Sequence, residues 1–305
     1  MSRAPLSRLL GGLCVDLGRG NHTNSVFLAG SGRSGTTWLS EVINYGGGYR
    51  YVFEPFNPVR VGTFEHFRSK QYLRPDDGGG EFLEAARLVL TGALRDPWTD
   101  RFNKTFVARR RLIKDIRANL LLGWMRANFP GMPIVLLIRH PCAVVVSRLA
   151  LGWKDNLRET MEQEELVEDF LLPVEAEILA ARGDFERHLF LWCIDNYVPL
   201  RQFGRDGIHL TFYENLLVSP EEELRCLFDF LGEDINDRVY AKLTHPSPLS
   251  RKGAFSPSVD GWRGRVSERQ LERTGEILNL FGLDRLYDGG PMPDPSGAYA
   301  LMKGK

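Results

Sequence analysis

The sequence predicts an α/β fold of three layers, in which a central, mostly parallel sheet is flanked by helices. Three observations predict it. Short apolar runs alternate along the chain with longer segments of helical periodicity. The 305 residues are 43% hydrophobic and 26% charged, a composition that is ordinary for a globular protein with a sizeable core. No internal repeat or low-complexity segment interrupts the alternation.

The apolar, β-branched runs define five predicted strands, at residues 26–30, 50–54, 111–115, 134–139 and 207–213. The helical patterns define the predicted helices, at residues 36–45, 81–93, 117–129, 141–150, 161–181, 185–203, 220–231 and 267–281. Pro141 supports the start of one helix, because a proline at the first helical position loses no hydrogen bond. The Pro/Ser/Gly stretch 245–262 is predicted to be a long loop.

This pattern predicts one domain over residues 25–290, with an N-terminal tail (1–24) and a C-terminal tail (291–305). The acidic run 159–170, ETMEQEELVEDF, is interpreted in two ways. It forms the solvated face of a helix, or it belongs to a lid insertion spanning 155–183 that covers a substrate.

Overall charge and cysteine content limit the function classes. Lys plus Arg and Asp plus Glu each number 39, so nothing predicts a nucleic-acid-binding protein with a basic excess. Four widely separated cysteines favour free thiols in a reducing compartment. Charges interrupt the apolar residues near the N-terminus, so neither a signal peptide nor a membrane span is predicted. We expect a soluble, cytoplasmic protein, or a lumenal one if the chain is part of a longer protein.

Residues 26–43, VFLAGSGRSGTTWLSEVI, run from a strand through a Gly/Ser loop into an amphipathic helix. The spacing of Gly30 and Gly35 matches a P-loop, in which backbone N–H groups at a helix N-terminus hold a phosphate. A nucleoside triphosphatase would continue with lysine, whereas this chain continues with threonine. Its positive charge lies within the loop, at Arg33. The loop therefore predicts a P-loop-like fold that binds phosphate with no obligatory metal ion.

Two motifs resemble those of sulfotransferases that use 3′-phosphoadenosine 5′-phosphosulfate (PAPS). Residues 31–38, SGRSGTTW, resemble the family's 5′-phosphosulfate loop. Residues 138–148, IRHPCAVVVSR, are similar to its 3′-phosphate motif, an arginine at a strand end and a serine in the next helix. Arg139 and Ser147 occupy those positions. The resemblance extends over residues 25–282 and implies PAPS as co-substrate without a metal ion.

Two further segments resemble parts of the family's nucleotide site. Residues 212–232 resemble the segment whose tyrosine lines the adenine pocket, and RKG at 251–253, followed by GWR at 261–263, resembles the loop that closes on the 3′-phosphate. Trp38 either stacks on adenine or belongs to the core. The resemblance implies these nucleotide-binding residues: Arg33, Ser34, Gly35, Thr36, Thr37, Trp38, Arg139, Ser147, Tyr213, Arg251, Lys252 and Gly253.

Sulfonate transfer calls for a cation near the leaving oxygen and a base near the acceptor hydroxyl. Arg33 is the predicted cation. Cytosolic family members carry Lys-x-His with the histidine as base, but here Lys114 is followed by Ile116 at the histidine position. Carbohydrate-type and tyrosyl-protein members use a glutamate after the second strand, which implies Glu54 as base; Asp115 is the alternative. Lys114 either contacts the sulfonate or acceptor, or is an ordinary strand lysine.

Ligands of parallel α/β sheets bind at the carboxyl ends of the strands. Five candidates end or follow predicted strands: Arg33, Glu54, Lys114, Arg139 and Tyr213. The sequence thus predicts a sulfotransferase acting on a hydroxyl of a carbohydrate, lipid or small molecule, with the oligomeric state left open. Two alternatives remain, a kinase with a degenerate P-loop and a nucleotide-binding protein without catalytic activity.

Overall fold

The computed structural model describes residues 14–244 and 258–302. Its strands are β1 (Val15–Asp16), β2 (Ser25–Gly30), β3 (Tyr49–Phe53), β4 (Val107–Ala108), β5 (Arg110–Asp115), β6 (Ile134–Ile138) and β7 (His209–Phe212). Five of them form a parallel sheet in the order β3-β5-β2-β6-β7, and β1 pairs with β4 in a separate two-stranded sheet. The five predicted strands are confirmed, and every pairing in the main sheet is parallel.

The helices of the described residues are α1 (Thr36–Ile43), α2 (Gly80–Leu90), α3 (Leu122–Asn128), α4 (Pro141–Ala150), α5 (Leu157–Met161), α6 (Glu164–Leu166), α7 (Glu175–Leu179), α8 (Gly183–Gln202), α9 (Tyr213–Val218), α10 (Pro220–Leu231), α11 (Arg238–Leu243), α12 (Glu268–Leu280) and α13 (Pro295–Leu301). The short helices α9, α11 and α13 were not predicted. Tyr213, predicted as the last residue of a strand, begins α9 instead.

The single helix predicted over 161–181 is wrong. The structure has short helices there, joined by a π-helical turn (Val167–Leu171) and a 3₁₀ turn (Leu172–Val174). Pro173 lies in the second turn, where a proline lacks a backbone donor and its ring clashes with the preceding turn of an α-helix. The segment is therefore mostly helical, as its periodicity indicates, but Pro173 prevents one continuous α-helix.

The main sheet separates two apolar cores. Successive residues of β2 point to opposite faces, so that Phe27 and Ala29 belong to one core and Val26 and Leu28 to the other. Helices α4 and α8 cover the first core, and α1 and α10 cover the second. All of β2 is buried, as expected for a strand covered by helices on both faces. The predicted three-layer arrangement is confirmed.

Parts of both predicted tails pack onto the domain. In the N-terminal one, the Asp16 carboxylate accepts a hydrogen bond from the buried Arg111 guanidinium at 2.9 Å. In the C-terminal one, α13 packs against α8 and buries Ala298. No helix of the described residues has both the length and the apolar character needed to cross a bilayer.

The acidic run contacts a basic segment, residues 68–74, which follows the 3₁₀ turn after β3. The Arg74 guanidinium lies 2.8 Å from both Glu168 and Asp169, and Arg68 lies 3.3 Å from Glu162. The run is therefore partly paired with cations rather than simply solvated. Its role as a lid stays a prediction.

Strand register brings the predicted site residues together. In the parallel pairing, Phe53 lies beside Lys114, Ala29 beside Asp115 and Gly30 beside Leu137. The segments that follow β2, β3, β5 and β6 consequently leave the sheet at one edge. Because β2 has β5 on one side and β6 on the other, this edge is the switch point at which open α/β sheets bind ligands.

Candidate active site

A cavity of about 670 Å³ lies at the carboxyl edge of the sheet, and its lining is strongly basic. The basic side chains are those of Arg33, Arg101, Lys114, Arg117, Arg139 and Arg265. Glu54 is the one carboxylate among the described residues that line it. Aromatic rings form further walls: Trp38, Phe53, Trp98, Trp153, Tyr213 and Trp262. Such a lining suits an anion that also carries a flat apolar group.

The loop between β2 and α1 has the geometry of a phosphate cradle. Gly35 precedes the first residue of α1 with φ +102°, and a Cβ there would lie 2.8 Å from the Tyr213 ring. The residue must therefore be glycine both for its left-handed backbone and for its close contact. The Ser34 hydroxyl is buried without a hydrogen-bond partner among the described residues. A buried donor of this kind beside a helix N-terminus indicates a site prepared for an anion.

Arg33 and Arg139 belong to one connected group. Arg33 has φ +80°, which is uncommon for a residue other than glycine, and its Nε donates to Ser147 Oγ at 3.0 Å. Arg139 Nη1 donates to the Arg33 carbonyl at 3.3 Å, and its guanidinium lies 4.0 Å from the centre of the Tyr213 ring. Arg139 Nε has no hydrogen-bond partner among the described residues. Arg33, which is predicted to hold the 5′-phosphosulfate, thus forms a hydrogen bond with Ser147, which is predicted to hold the 3′-phosphate.

Trp38 borders the cavity but belongs mainly to the core. Its side chain is buried, its Nε1 donates to the Leu243 carbonyl at 3.3 Å, and its ring meets the edge of Tyr213 at a centroid distance of 5.3 Å. Of the two interpretations of Trp38, the structure favours the core residue.

Glu54 follows β3 and forms a buried pair with two cations. Its Oε1 accepts a hydrogen bond from Lys114 Nζ at 2.6 Å, and its Oε2 accepts one from Arg117 Nη1 at 2.8 Å. Its φ of +43° is a strained value that the neighbouring contacts must hold in place. Burial by itself raises the pKa of Glu54, but Lys114 and Arg117 together outweigh it and lower the pKa below its usual value.

The two cations differ in exposure. The Lys114 side chain is 2% exposed, and burial lowers its pKa even though Glu54 acts in the opposite direction. The Arg117 side chain is 24% exposed, so it can leave Glu54 for solvent or a ligand at smaller cost. Of the two pairs that Glu54 makes, the one with Arg117 is therefore the more accessible to solvent.

Asp115, the alternative base, is fully buried and holds the backbone. Its two oxygens accept hydrogen bonds from the backbone N–H groups of Phe56 and Arg117, at 2.9 and 2.7 Å. Burial raises its pKa to about 6. Asp115 does not line the cavity, whereas Glu54 does. Of the two predicted bases, Glu54 is therefore the one that lines the cavity.

Several cavity residues were not identified from the sequence. Arg117 and Trp153 lie outside the motifs, and Arg101 lies 4.0 Å from the centre of the Trp98 ring in a segment without regular structure. Their place in the cavity depends on tertiary packing, and we find no local pattern that marks them. Arg265 lies just beyond the GWR motif, and its Nη2 donates to the Val146 carbonyl at 3.2 Å.

The C-terminal segment is described only in part. The predicted 3′-phosphate residues Arg251, Lys252 and Gly253 lie outside the described residues. Trp262 of the neighbouring motif stacks on His140 at a centroid distance of 4.1 Å. Burial lowers the pKa of His140 to about 3, so this imidazole is a neutral packing group.

The chain matches known proteins at the levels of family, sequence and fold. The model of the Sulfotransferase family matches residues 25–237. The nodulation protein NoeE of Sinorhizobium fredii (strain NBRC 101917 / NGR234) is 24% identical over 290 residues, which are 87% of this chain and 65% of NoeE. The chain thus spans about 65% of the length of this curated relative.

Solved structures give weaker likenesses. A mouse sulfotransferase complexed with PAP (adenosine 3′,5′-bisphosphate) is 17% identical, with a TM-score of 0.48, over 92% of this chain and 90% of that one. The sulfotransferase domain from the curacin biosynthetic pathway is 14% identical, with a TM-score of 0.46, over 83% of this chain and 96% of that one.

Replacing Arg117 with alanine should raise the pKa of Glu54, because one of the two cations that favour the ionised carboxylate is lost while its burial remains. The pKa is measured by ¹³C NMR titration of glutamate carboxyl groups, with the Glu54 signal assigned from the spectrum of Glu54→Gln. Arg68→Ala, which breaks the exposed pair with Glu162, is the control and should leave the signal unchanged. An unchanged Glu54 pKa in Arg117→Ala would show that the pair does not exist in solution.

Proposed function

The chain belongs to the sulfotransferase family, and from that membership we propose that it transfers a sulfonate group from PAPS to a hydroxyl of an acceptor. The family match confirms the enzyme class predicted from the sequence. The observation that carries the proposal is that a phosphate cradle, a basic cavity and Glu54 lie at one sheet edge, with Glu54 the single carboxylate in the described part of the cavity lining. PAPS and the roles of individual residues are part of the proposal.

The residues of the cavity fit a nucleotide with phosphates at both ends. Ser34 Oγ and Arg139 Nε have no hydrogen-bond partner among the described residues, and phosphate oxygens accept hydrogen bonds from donors of this kind. Arg139 lines the cavity, whereas Ser34 is buried within the loop. The loop residues up to Thr37 would hold the 5′-phosphosulfate at the N-terminus of α1. Arg139 and Ser147 would hold the 3′-phosphate, with the Tyr213 ring along the adenine.

The chain's own residues provide the proton acceptor and the positive charge. When bound, PAPS supplies the sulfonate and departs as adenosine 3′,5′-bisphosphate (PAP). Glu54 accepts the proton of the acceptor hydroxyl as the new O–S bond forms and the bond from sulfur to the leaving phosphate oxygen breaks. Arg33 and Lys114 offset the negative charge that develops on the leaving oxygen and the sulfonate.

The alternative functions have less support from the site. A kinase holds Mg²⁺ with a carboxylate and a P-loop hydroxyl, and it needs the P-loop lysine that is missing here. Both Glu54 oxygens contact cations, and residues 14–244 and 258–302 place no second carboxylate in the cavity lining. The glutamate base resembles that of carbohydrate-type members, so we propose a carbohydrate hydroxyl as the first acceptor to test.

Nucleotide binding tests the proposed function directly. PAP should raise the melting temperature without metal, because a ligand at a hundred times its Kd adds about 2.7 kcal/mol to the free energy of unfolding. ATP with Mg²⁺ should have a much smaller effect. Radiolabelled sulfonate from PAPS is then offered to carbohydrate, lipid and small-molecule alcohols. Stabilisation by ATP–Mg²⁺ alone would favour the kinase, and PAP binding without transfer to any acceptor would favour the binding protein.

Arg139→Ala should weaken PAP binding about 10- to 100-fold, since a hydrogen bond to a charged group contributes about 1.5–3 kcal/mol. Adenosine 5′-phosphate lacks the 3′-phosphate, so its affinity should change little. Both affinities are measured by calorimetry. Arg205→Ala is a matched control, because Arg205 also lies over a tyrosine ring, that of Tyr299. An equal loss for both nucleotides would mean that Arg139 does not hold the 3′-phosphate.

Glu54→Gln should keep PAP affinity within about threefold and lower turnover of an identified acceptor at least about 100-fold, because the amide cannot accept the hydroxyl proton. Initial rates and PAP calorimetry are measured on the same preparation, so that PAP binding reports on folding. Glu41→Gln removes a carboxylate that pairs with the exposed Lys104, and it should be as active as the parent. Activity of Glu54→Gln near the parent's would exclude Glu54 as the base.

A further inference from the structure

A buried charge cluster lies next to the phosphate loop and is centred on Asp195 of α8. The Asp195 carboxylate accepts a hydrogen bond from Ser31 Oγ at 2.5 Å and from Lys70 Nζ at 2.6 and 2.7 Å. Arg148 lies 3.6 Å from the same carboxylate. Asp195 is 1% exposed, and neither it nor Ser31 lines the 670 Å³ cavity. The cluster therefore acts on the loop from outside the proposed nucleotide site.

The cluster fixes the first turn of the loop through several hydrogen bonds. Arg148 Nη2 donates to Ser31 Oγ at 2.6 Å, and Arg148 Nε donates to the Gly32 carbonyl at 3.1 Å. Ser31 in turn donates to Asp195, so that its hydroxyl has both a donor and an acceptor partner. These contacts hold Ser31 and Gly32, which immediately precede the proposed phosphate-binding residues.

Lys70 belongs to the cluster and has a strained backbone conformation. Its backbone has φ +59°, one of the few positive values at residues other than glycine in the described chain. The side chain is largely buried, and such burial lowers the pKa of Lys70 although Asp195 opposes the change. A strained backbone and a buried ammonium group are retained only where the surrounding contacts compensate for both.

We propose that Asp195 is a positioning residue that holds Ser31, and through it the phosphate loop, in the conformation that binds the 5′-phosphosulfate. This inference rests on the proposed function, because it assumes that the loop binds that end of the nucleotide. Asp195 does not line the 670 Å³ cavity, so it acts through Ser31 and not by contact with the nucleotide. Removing its hydrogen bond from Ser31 lets the loop leave its binding conformation, and the 5′-phosphate loses affinity.

Lys70 extends the cluster toward a second cavity. Lys70 belongs to the basic segment 68–74, and it lines a cavity of about 310 Å³. That cavity shares Ile116, Arg117 and Trp153 with the 670 Å³ cavity. The Asp195 carboxylate thus contacts both Ser31 of the phosphate loop and Lys70 of the segment beside the 310 Å³ cavity.

The test compares nucleotides that carry one phosphate or both. In Ser31→Ala and Asp195→Asn, PAP and adenosine 5′-phosphate should each bind about tenfold more weakly, as expected for the loss of a buried hydrogen bond to a charged group. Adenosine 3′-phosphate should bind as it does to the parent. Affinities are measured by calorimetry, with displacement of PAP for the weaker ligands. A merely destabilised protein would lose affinity for all three nucleotides alike.

A control variant, Asp169→Asn, and the second variant, Ser31→Ala, distinguish the possible results. Asp169→Asn breaks another pair of the same basic segment, that with Arg74, and should leave all three affinities unchanged. If Asp195→Asn does not fold, Ser31→Ala decides, because it removes only the hydroxyl. Parent-like affinities for 5′-phosphates, or an equal loss for all three nucleotides, overturn the proposal. If PAP does not bind the parent protein, the proposed function itself fails.

Discussion

The parallel register around β2 is the constraint on which the site depends. Since β5 and β6 flank β2 and β3 pairs with β5, the segments that leave these strands emerge at one edge. The cradle after β2, Glu54 after β3, Lys114 at the end of β5 and Arg139 after β6 then surround one cavity. An antiparallel neighbour would send one of these groups to the opposite edge. The topology of the sheet therefore determines where the cavity lies, and the side chains determine what it can bind.

Local charge and overall charge have different roles in this protein. The chain has no formal net charge, yet the cavity lining, as far as the structure describes it, has six cationic side chains and one carboxylate. Cations held this close repel one another, and a bound polyanion would offset that repulsion. Arg139 lies over the Tyr213 ring and Arg101 lies over the Trp98 ring, and these cation–π attractions offset part of the repulsion. A polyanion is thus the ligand that the electrostatics of the cavity favour most.

The sequence predicted those features that a short stretch of chain determines. The strands follow from apolar runs, and the cradle from the glycine spacing, because both depend on neighbouring residues. Asp195 and Arg117 were not predicted, since each contacts partners that lie far away along the chain. The error over 161–181 has another cause. The periodicity there is helical, but Pro173 cannot continue an α-helix and lies in a 3₁₀ turn.

If Glu54 is the base, as we propose, the two cations that contact it limit how strongly it can attract a proton. A carboxylate whose pKa is lowered by Lys114 and Arg117 holds a proton weakly and would not ionise a free hydroxyl. The acceptor proton becomes more acidic as the O–S bond forms, however, so a weak base suffices if the proton moves in the same step. Departure of the more exposed Arg117 would make Glu54 more basic as the hydroxyl arrives. The buried Lys114 would still keep Glu54 ionised until that step.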